Sequence, residues 1–131
     1  MAETAPDADA AEPVEPSGSL PEDSVLSLEE YLDMQAAIGN ETRYRILRTL
    51  TYNGDLSANA LKESLALEAN SLHYHLDHLV DVGLVQNRKR KEADAAGLYS
   101  YYRASALGEG FLEDGVEELM RREHDFQERY S

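Results

Sequence analysis

Two short segments hold residues whose chemistry suits recognition of another molecule. From 70 to 78 the chain reads Asn70, Ser71, Leu72, His73, Tyr74, His75, Leu76, Asp77, His78, and further on Arg88, Lys89, Arg90 and Lys91 follow one another without a break. An Asn side chain can make two hydrogen bonds to an adenine edge, Ser donates or accepts, and His and Tyr can read base edges or hold phosphate oxygens. Consecutive cations suit a phosphate backbone, and Tyr99, Tyr101, Tyr102 and Arg103 lie downstream, placed to return beside them. On a helix advancing about 100° per residue, Leu72, Leu76, Leu79 and Val80 share one face. Asn70, Ser71, Tyr74 and His78 point away from that face, and His73 and His75 flank it. Such a polar face is equally expected of any amphipathic helix in water, so the basic run after it is what turns the reading toward double-stranded DNA.

Other chemistries find less support. His75 and His78 stand one helical turn apart and could share a borderline cation, but no further ligand at a convincing spacing completes the set. The expectation is that His75 packs toward the core and His78 faces solvent or DNA, with no metal and no cofactor. The chain has no cysteine, which removes disulfides, thiolate zinc sites and thiol redox switching. It has no glycine-rich phosphate loop and no recognisable nucleophile and base, so no enzyme is expected.

Charge at first opposes a nucleic-acid partner: 26 acidic residues against 12 basic give a formal net charge of −14 over 131 residues. Its distribution along the chain points the other way. Residues 1–40 hold ten acids and no base, and residues 104–131 hold eight acids and three bases, whereas residues 41–103 hold nine bases and eight acids. The basic surface is therefore concentrated in the middle of the chain. An acidic shell around a hydrophobic pattern fits either a disordered chain or a halophilic one, since excess carboxylate keeps a chain hydrated and dispersed in concentrated salt, and the regular apolar periodicity favours the halophilic protein. No apolar run approaches the roughly 20 residues that span a bilayer, and the N-terminus lacks a basic segment followed by an apolar one, so a soluble cytoplasmic protein away from membranes is expected.

The elements that must carry these residues follow from caps and periodicity. Residues 1–24 are Ala, Glu, Asp, Pro, Ser and Gly with few large apolar side chains, which predicts a flexible acidic tail. Ser27 and Glu30 form a capping box for a first helix to about Ile38; Asn40 caps a second that ends at Asn53-Gly54. Ser57 caps a short third helix through Leu65, Ala66 to Glu68 turn, and a fourth runs from Ala69 or Asn70 to Val82 before Gly83. Leu84 to Lys91 and Leu98 to Arg103 read as two strands of a hairpin with a mobile tip at 92–97. From about Ala106 one long amphipathic helix is expected, with Leu112, Val116, Leu119, Glu123, Phe126 and Tyr130 on a heptad seam.

The fold class expected is mainly α with a small β-hairpin: a winged helix-turn-helix domain at 25–105 and a C-terminal dimerisation helix at 106–131. Read in order, Ala37-Ile38-Gly39-Asn40-Glu41-Thr42-Arg43-Tyr44-Arg45-Ile46-Leu47, Ser71-Leu72-His73-Tyr74-His75-Leu76-Asp77-His78-Leu79, Gly83-Leu84-Val85 and Tyr102-Arg103 resemble the bacterial and archaeal winged-helix regulators of the ArsR-like and PadR-like kind. The resemblance covers about residues 28–110. It implies a homodimeric, sequence-specific DNA-binding transcription regulator on a partly palindromic operator, and, with the charge, a haloarchaeal one.

The resemblance also implies recognition-helix roles for Asn70, Ser71, His73 and Tyr74 and wing roles for Arg88, Arg90 and Lys91. His78, Lys89 and Arg103 complete the expected DNA-binding set. The lack of cysteine departs from the metal sensors of that family, so metal sensing is not carried over. The expected dimer interface is Leu28, Leu32, Leu112, Val116, Leu119, Phe126 and Tyr130. Asp77, Asp81, Glu92 and Asp94 near the DNA are expected to share bridging potassium or sodium ions with phosphate. A winged helix can instead dock on a protein partner in a transcription assembly, and detectable DNA binding separates the two readings.

Overall fold

A computed structural model describes residues 11–91 and 98–130 of the chain. The expectations for the first ten residues and for the hairpin tip at 92–97 lie outside the described residues. Before the first helix, residues Pro16–Ser19 form a single 3₁₀ turn.

Local chemistry starts each of the first three helices. In α1, Leu28–Ile38, the Ser27 hydroxyl accepts from the Glu30 amide at 3.1 Å and the Glu30 carboxylate accepts from the Ser27 amide at 2.9 Å, a complete capping box. The Asn40 side chain accepts from the Arg43 amide at 3.0 Å to open α2, Glu41–Asn53. Ser57 does the same for Ala60 at 3.1 Å, opening α3, Ala58–Leu65. Gly54 ends α2 at φ 82°, a backbone position that costs glycine nothing. Ala66 ends α3 at φ 53°, where an L-residue with a Cβ is strained by about 1 to 2 kcal/mol. After that tight turn comes α4, Ala69–Asp81.

The hairpin follows through Gly83, whose φ is 87°. Strands β1, Val85–Lys91, and β2, Leu98–Ala104, pair antiparallel, with Val85 opposite Ala104, Arg88 opposite Tyr101 and Lys89 opposite Ser100. The base of the hairpin is stitched to the helices, since Leu56 exchanges both backbone hydrogen bonds with Tyr102, at 2.8 and 3.0 Å.

The core lies where these elements meet. Ile46, Leu47 and Leu50 of α2, Leu61 of α3, Leu72, Leu76 and Leu79 of α4, and Leu84 and Val85 are all buried, each contributing about 1.5 to 3 kcal/mol. That single cluster fixes the outward direction of the opposite face of α4.

The C-terminal region differs from the single long helix expected. It runs as α5, Ala106–Phe111, then a π-turn, Leu112–Val116, then α6, Glu117–Arg121, and α7, Glu123–Tyr130. Gly115 leaves helical geometry at φ −102°, ψ −109°, and Arg122 does so at φ −100°, ψ 14°. Glycine's weak helix propensity allows the first break, and packing of α5 on the core drives it. Gly108 sits so close to the backbone just before β1 that a Cβ there would meet the Leu84 carbonyl oxygen at 2.1 Å, and Leu112 is fully buried in the same core. The heptad residues therefore do not line one straight axis. Among the described residues, no helix is long and apolar enough to cross a membrane.

Candidate nucleic-acid interface

The outward face of α4 gathers most of the expected reading residues. Asn70, Ser71, His73 and Tyr74 are exposed and His78 is half-buried. Tyr74 stands 65% exposed, a large aromatic surface for a free monomer to leave in water. Its ring meets His75 edge-on at 5.0 Å, which directs the phenol away from the core. The first turn of α4 follows Glu68, which makes no side-chain cap bond, so the amides there remain open to an anionic acceptor such as phosphate.

His75 has a different task from its neighbours. Arg43 Nη1 lies 3.0 Å from His75 Nδ1, and Arg43 Nε donates to the Ala37 carbonyl at 2.7 Å. A guanidinium has only donors, so Nδ1 must accept and the imidazole proton sits on Nε2. Burial, then the Arg43 charge and His78, push the His75 pKa below the ordinary histidine value. The neutral ring thus ties α4 to the junction of α1 and α2, holding the reading helix in place. Among the described residues no group of three or more His, Cys, Asp or Glu side chains is gathered as a metal would require.

On the wing, Arg88 and Lys89 project from β1 and are exposed, with no carboxylate partner among the described residues. Arg90 and Lys91 continue the same strand; their side chains lie outside the described part. Arg103 is placed otherwise: its Nη2 pairs with Asp55 at 2.8 Å, so the guanidinium anchors β2 to the loop before α3. Of the acids expected near DNA, Asp77 and Asp81 are exposed on α4, while Glu92 and Asp94 lie outside the described residues.

The expected dimer residues separate. Leu32 and Leu119 are 57% and 56% exposed, and Leu28, Val116 and Phe126 are half-buried. Leu112 is fully buried within its own chain, where it serves the winged domain, and the Tyr130 side chain lies outside the described part. Val116, Leu119, Met120, Glu123, Phe126 and Gln127 line an open groove of about 370 Å³. Met120, 54% exposed, belongs to this apolar face although the heptad pattern passed over it.

Sequence reasoning also passed over Glu117, counted there with the acidic surface. It is the one charged residue buried among the described residues. Tyr52 donates to its Oε1 at 2.5 Å, and Arg48 Nε and Tyr44 donate to Oε2 at 3.0 and 3.4 Å. Burial alone would raise this carboxyl's pKa; the hydrogen bonds from Tyr52 and Arg48, with the Arg48 charge, outweigh it and hold the group below the ordinary range. Tyr44, Arg48 and Tyr52 recur every fourth residue on one face of α2, the signal from which a carboxylate partner could have been sought.

Comparison with known proteins agrees with this geometry. A helix-turn-helix domain model matches residues 38–87. The transcriptional regulator HlyU from Vibrio vulnificus CMCP6 is 31% identical, with a TM-score of 0.51, over 65% of this chain and 82% of that one. An ArsR-like transcriptional regulator from Rhodococcus sp. RHA1 is 28% identical over 77% of this chain and 86% of its own, with a TM-score of 0.52. The homodimeric winged helix-turn-helix DNA-binding domain Mb0332 from Mycobacterium bovis shares the fold at 21% identity and a TM-score of 0.60, over 76% of this chain and 85% of its own. No curated protein matches the sequence.

Proposed function

This chain belongs to the ArsR-like winged helix-turn-helix transcriptional regulators, and on that premise we propose that it is a homodimer reading a partly palindromic operator in a high-salt, archaeal-type cytoplasm. The observation that carries the reading is the exposed face of α4, with Asn70, Ser71, His73 and Tyr74, followed directly by a strand bearing Arg88 and Lys89. Placed in a major groove, Asn70 and Tyr74 contact base edges and His78 borders them, while Arg88 to Lys91 hold the phosphates flanking the groove. Arg103 contributes by fixing the wing through Asp55. The dimer forms through Leu28, Leu32, Val116, Leu119 and Phe126, joined by Met120 and Tyr130, as a self-complementary apolar surface.

The salt adaptation rests on where the acids are. Of 26 carboxylates in the chain, Glu117 is the one buried among the described residues, so the rest of those described meet solvent. At molar salt the Debye length is about 3 Å, and counterion release gives little driving force. Binding then relies on close fit, with potassium or sodium ions bridging Asp77 and Asp81 to phosphate. An operator selected from random duplex DNA, titrated with protein at KCl from about 0.1 to 3 M, tests this against the usual steep negative slope. Affinity held or rising with KCl is expected. A steep fall with the protein still folded would remove the cation bridges, and undetectable binding to any duplex at every salt would favour a protein-docking module.

A further inference from the structure

Glu117 stands at a mechanical junction. Upstream, the C-terminal region is locked to the winged domain by the close approach of Gly108 to Leu84 and by buried Leu112. The chain then kinks at Gly115, and two residues later Glu117 receives hydrogen bonds from three successive turns of α2, through Tyr44, Arg48 and Tyr52. Arg48 also lies over the Tyr52 ring at 5.1 Å, so the donors brace one another. Past Glu117, the side-chain hydrogen bonds and ion pairs of the described residues stay within the C-terminal region, as with Arg121 to Glu118 and to the Glu113 carbonyl, and His124 to Glu128. The apolar groove of Val116, Leu119, Met120 and Phe126 starts beside this last anchor.

The helix that supplies the donors is also bound to the reading helix. Arg43, at the start of α2, contacts His75 of α4. A continuous chain of contacts therefore runs from α4, through Arg43 and α2, to the Glu117 carboxylate and on to the apolar face. We propose that Glu117 is a positioning residue that sets the separation and tilt of the two α4 helices in the dimer, and so selects the half-site spacing of the operator. This rests on the dimeric DNA-reading function proposed above. Without the carboxylate, the segment beyond Gly115 keeps the Glu117 amide bond to the Leu112 carbonyl and the Arg121 bond to the Glu113 carbonyl but loses its side-chain tie to α2, and the dimer samples a range of helix separations. Two half-sites on one duplex face accept only separations near a helical turn or its multiples, so a loosened dimer must be reordered on binding and discriminates spacing poorly.

The test uses full-length wild type, Glu117→Gln and Tyr52→Phe. Wild type selects an inverted repeat from random duplex DNA. Binding of all three proteins is then measured by fluorescence anisotropy on that repeat and on versions with the half-sites moved by one or two base pairs. Wild type should show one sharp optimum. Glu117→Gln should bind the optimum about 10-fold more weakly and distinguish the spacings less than about 3-fold, with an unchanged sedimentation dimer and an unchanged contact to a single half-site. Tyr52→Phe, which removes one donor from a half-exposed ring, should fall between them and carries the test if Glu117→Gln is unfolded by circular dichroism. A wild-type spacing profile in the folded variants would overturn the positioning role alone. Selection of no duplex by wild type would overturn the DNA-reading function and this inference with it.

Discussion

Replacing Gly108 with alanine tests the seat of the C-terminal region most sharply. A Cβ at this position would lie 2.1 Å from the Leu84 carbonyl oxygen, 3.1 Å from its carbon and 3.2 Å from Leu47 Cδ1. Two of these atoms are backbone, and the same oxygen accepts from the Ser105 amide at 3.0 Å, so the backbone leading into β1 cannot yield without losing that bond. Leu47 and Leu84 are both fully buried, so the displaced atoms cannot move out into solvent. Relief requires α5 to move by roughly 1 Å, an overpacking cost near the upper end of the usual range, about 3 kcal/mol. Alanine's better helix propensity returns about 1 kcal/mol. The net loss should be about 2 kcal/mol, or roughly 1 to 2 M in urea midpoint at an m-value of about 1 to 2 kcal/mol/M. Urea unfolding followed by circular dichroism at fixed protein and KCl concentrations gives this number, with Gly110→Ala, where a Cβ meets open space within the chain, as the control. A Gly108→Ala midpoint equal to or above that of wild type would refute the close approach on which the C-terminal geometry depends.

Two further outcomes follow from named side chains. Leu119→Ala with Phe126→Ala should weaken the dimer by about 2 to 5 kcal/mol for each side chain that dimerisation buries fully, read by sedimentation equilibrium; a wild-type monomer at all concentrations would contradict the interface. His75 has a folded-state pKa below its unfolded value near 6.5, so the unfolded chain takes up the proton first. Its contribution to stability should therefore be intact above about pH 6.5 and be lost as pH falls toward the lowered value, and His75→Gln should flatten that part of the stability curve relative to wild type.

Much of the fold was legible because its signals are local. Ser27 with Glu30, Asn40 and Ser57 each cap a helix within three residues, and all three boundaries fall where those caps placed them. The stripe of Leu72, Leu76 and Leu79 marked the inward face of α4, and hence the outward face of Asn70, Ser71 and Tyr74. What escaped depends on contacts far apart in the chain. The seam from Leu112 to Tyr130 has helical spacing, but burial of Leu112 beneath α5 and the turn at Gly115 divide it. Arg103 reads as a wing cation until Asp55, 48 residues away, is brought to it. Glu117 is indistinguishable from its acidic neighbours in sequence and acquires its role from Tyr52, 65 residues earlier. The turn at Ala66 is legible in the sequence, but its left-handed backbone is not, because no glycine or asparagine marks that position.

The most direct measurement of the central claim compares Asn70→Ala and Arg88→Ala on the selected operator and on a scrambled duplex of equal length, by anisotropy at one KCl concentration. Asn70 stands on the exposed face of α4 and Arg88 on the wing strand, so base reading and phosphate holding should fail differently. Asn70→Ala should lose about 1 to 3 kcal/mol, roughly 5- to 150-fold, on the operator and almost nothing on the scrambled duplex, whereas Arg88→Ala should weaken both alike. Equal losses from both variants on both duplexes would contradict the assignment of α4 as the reading helix.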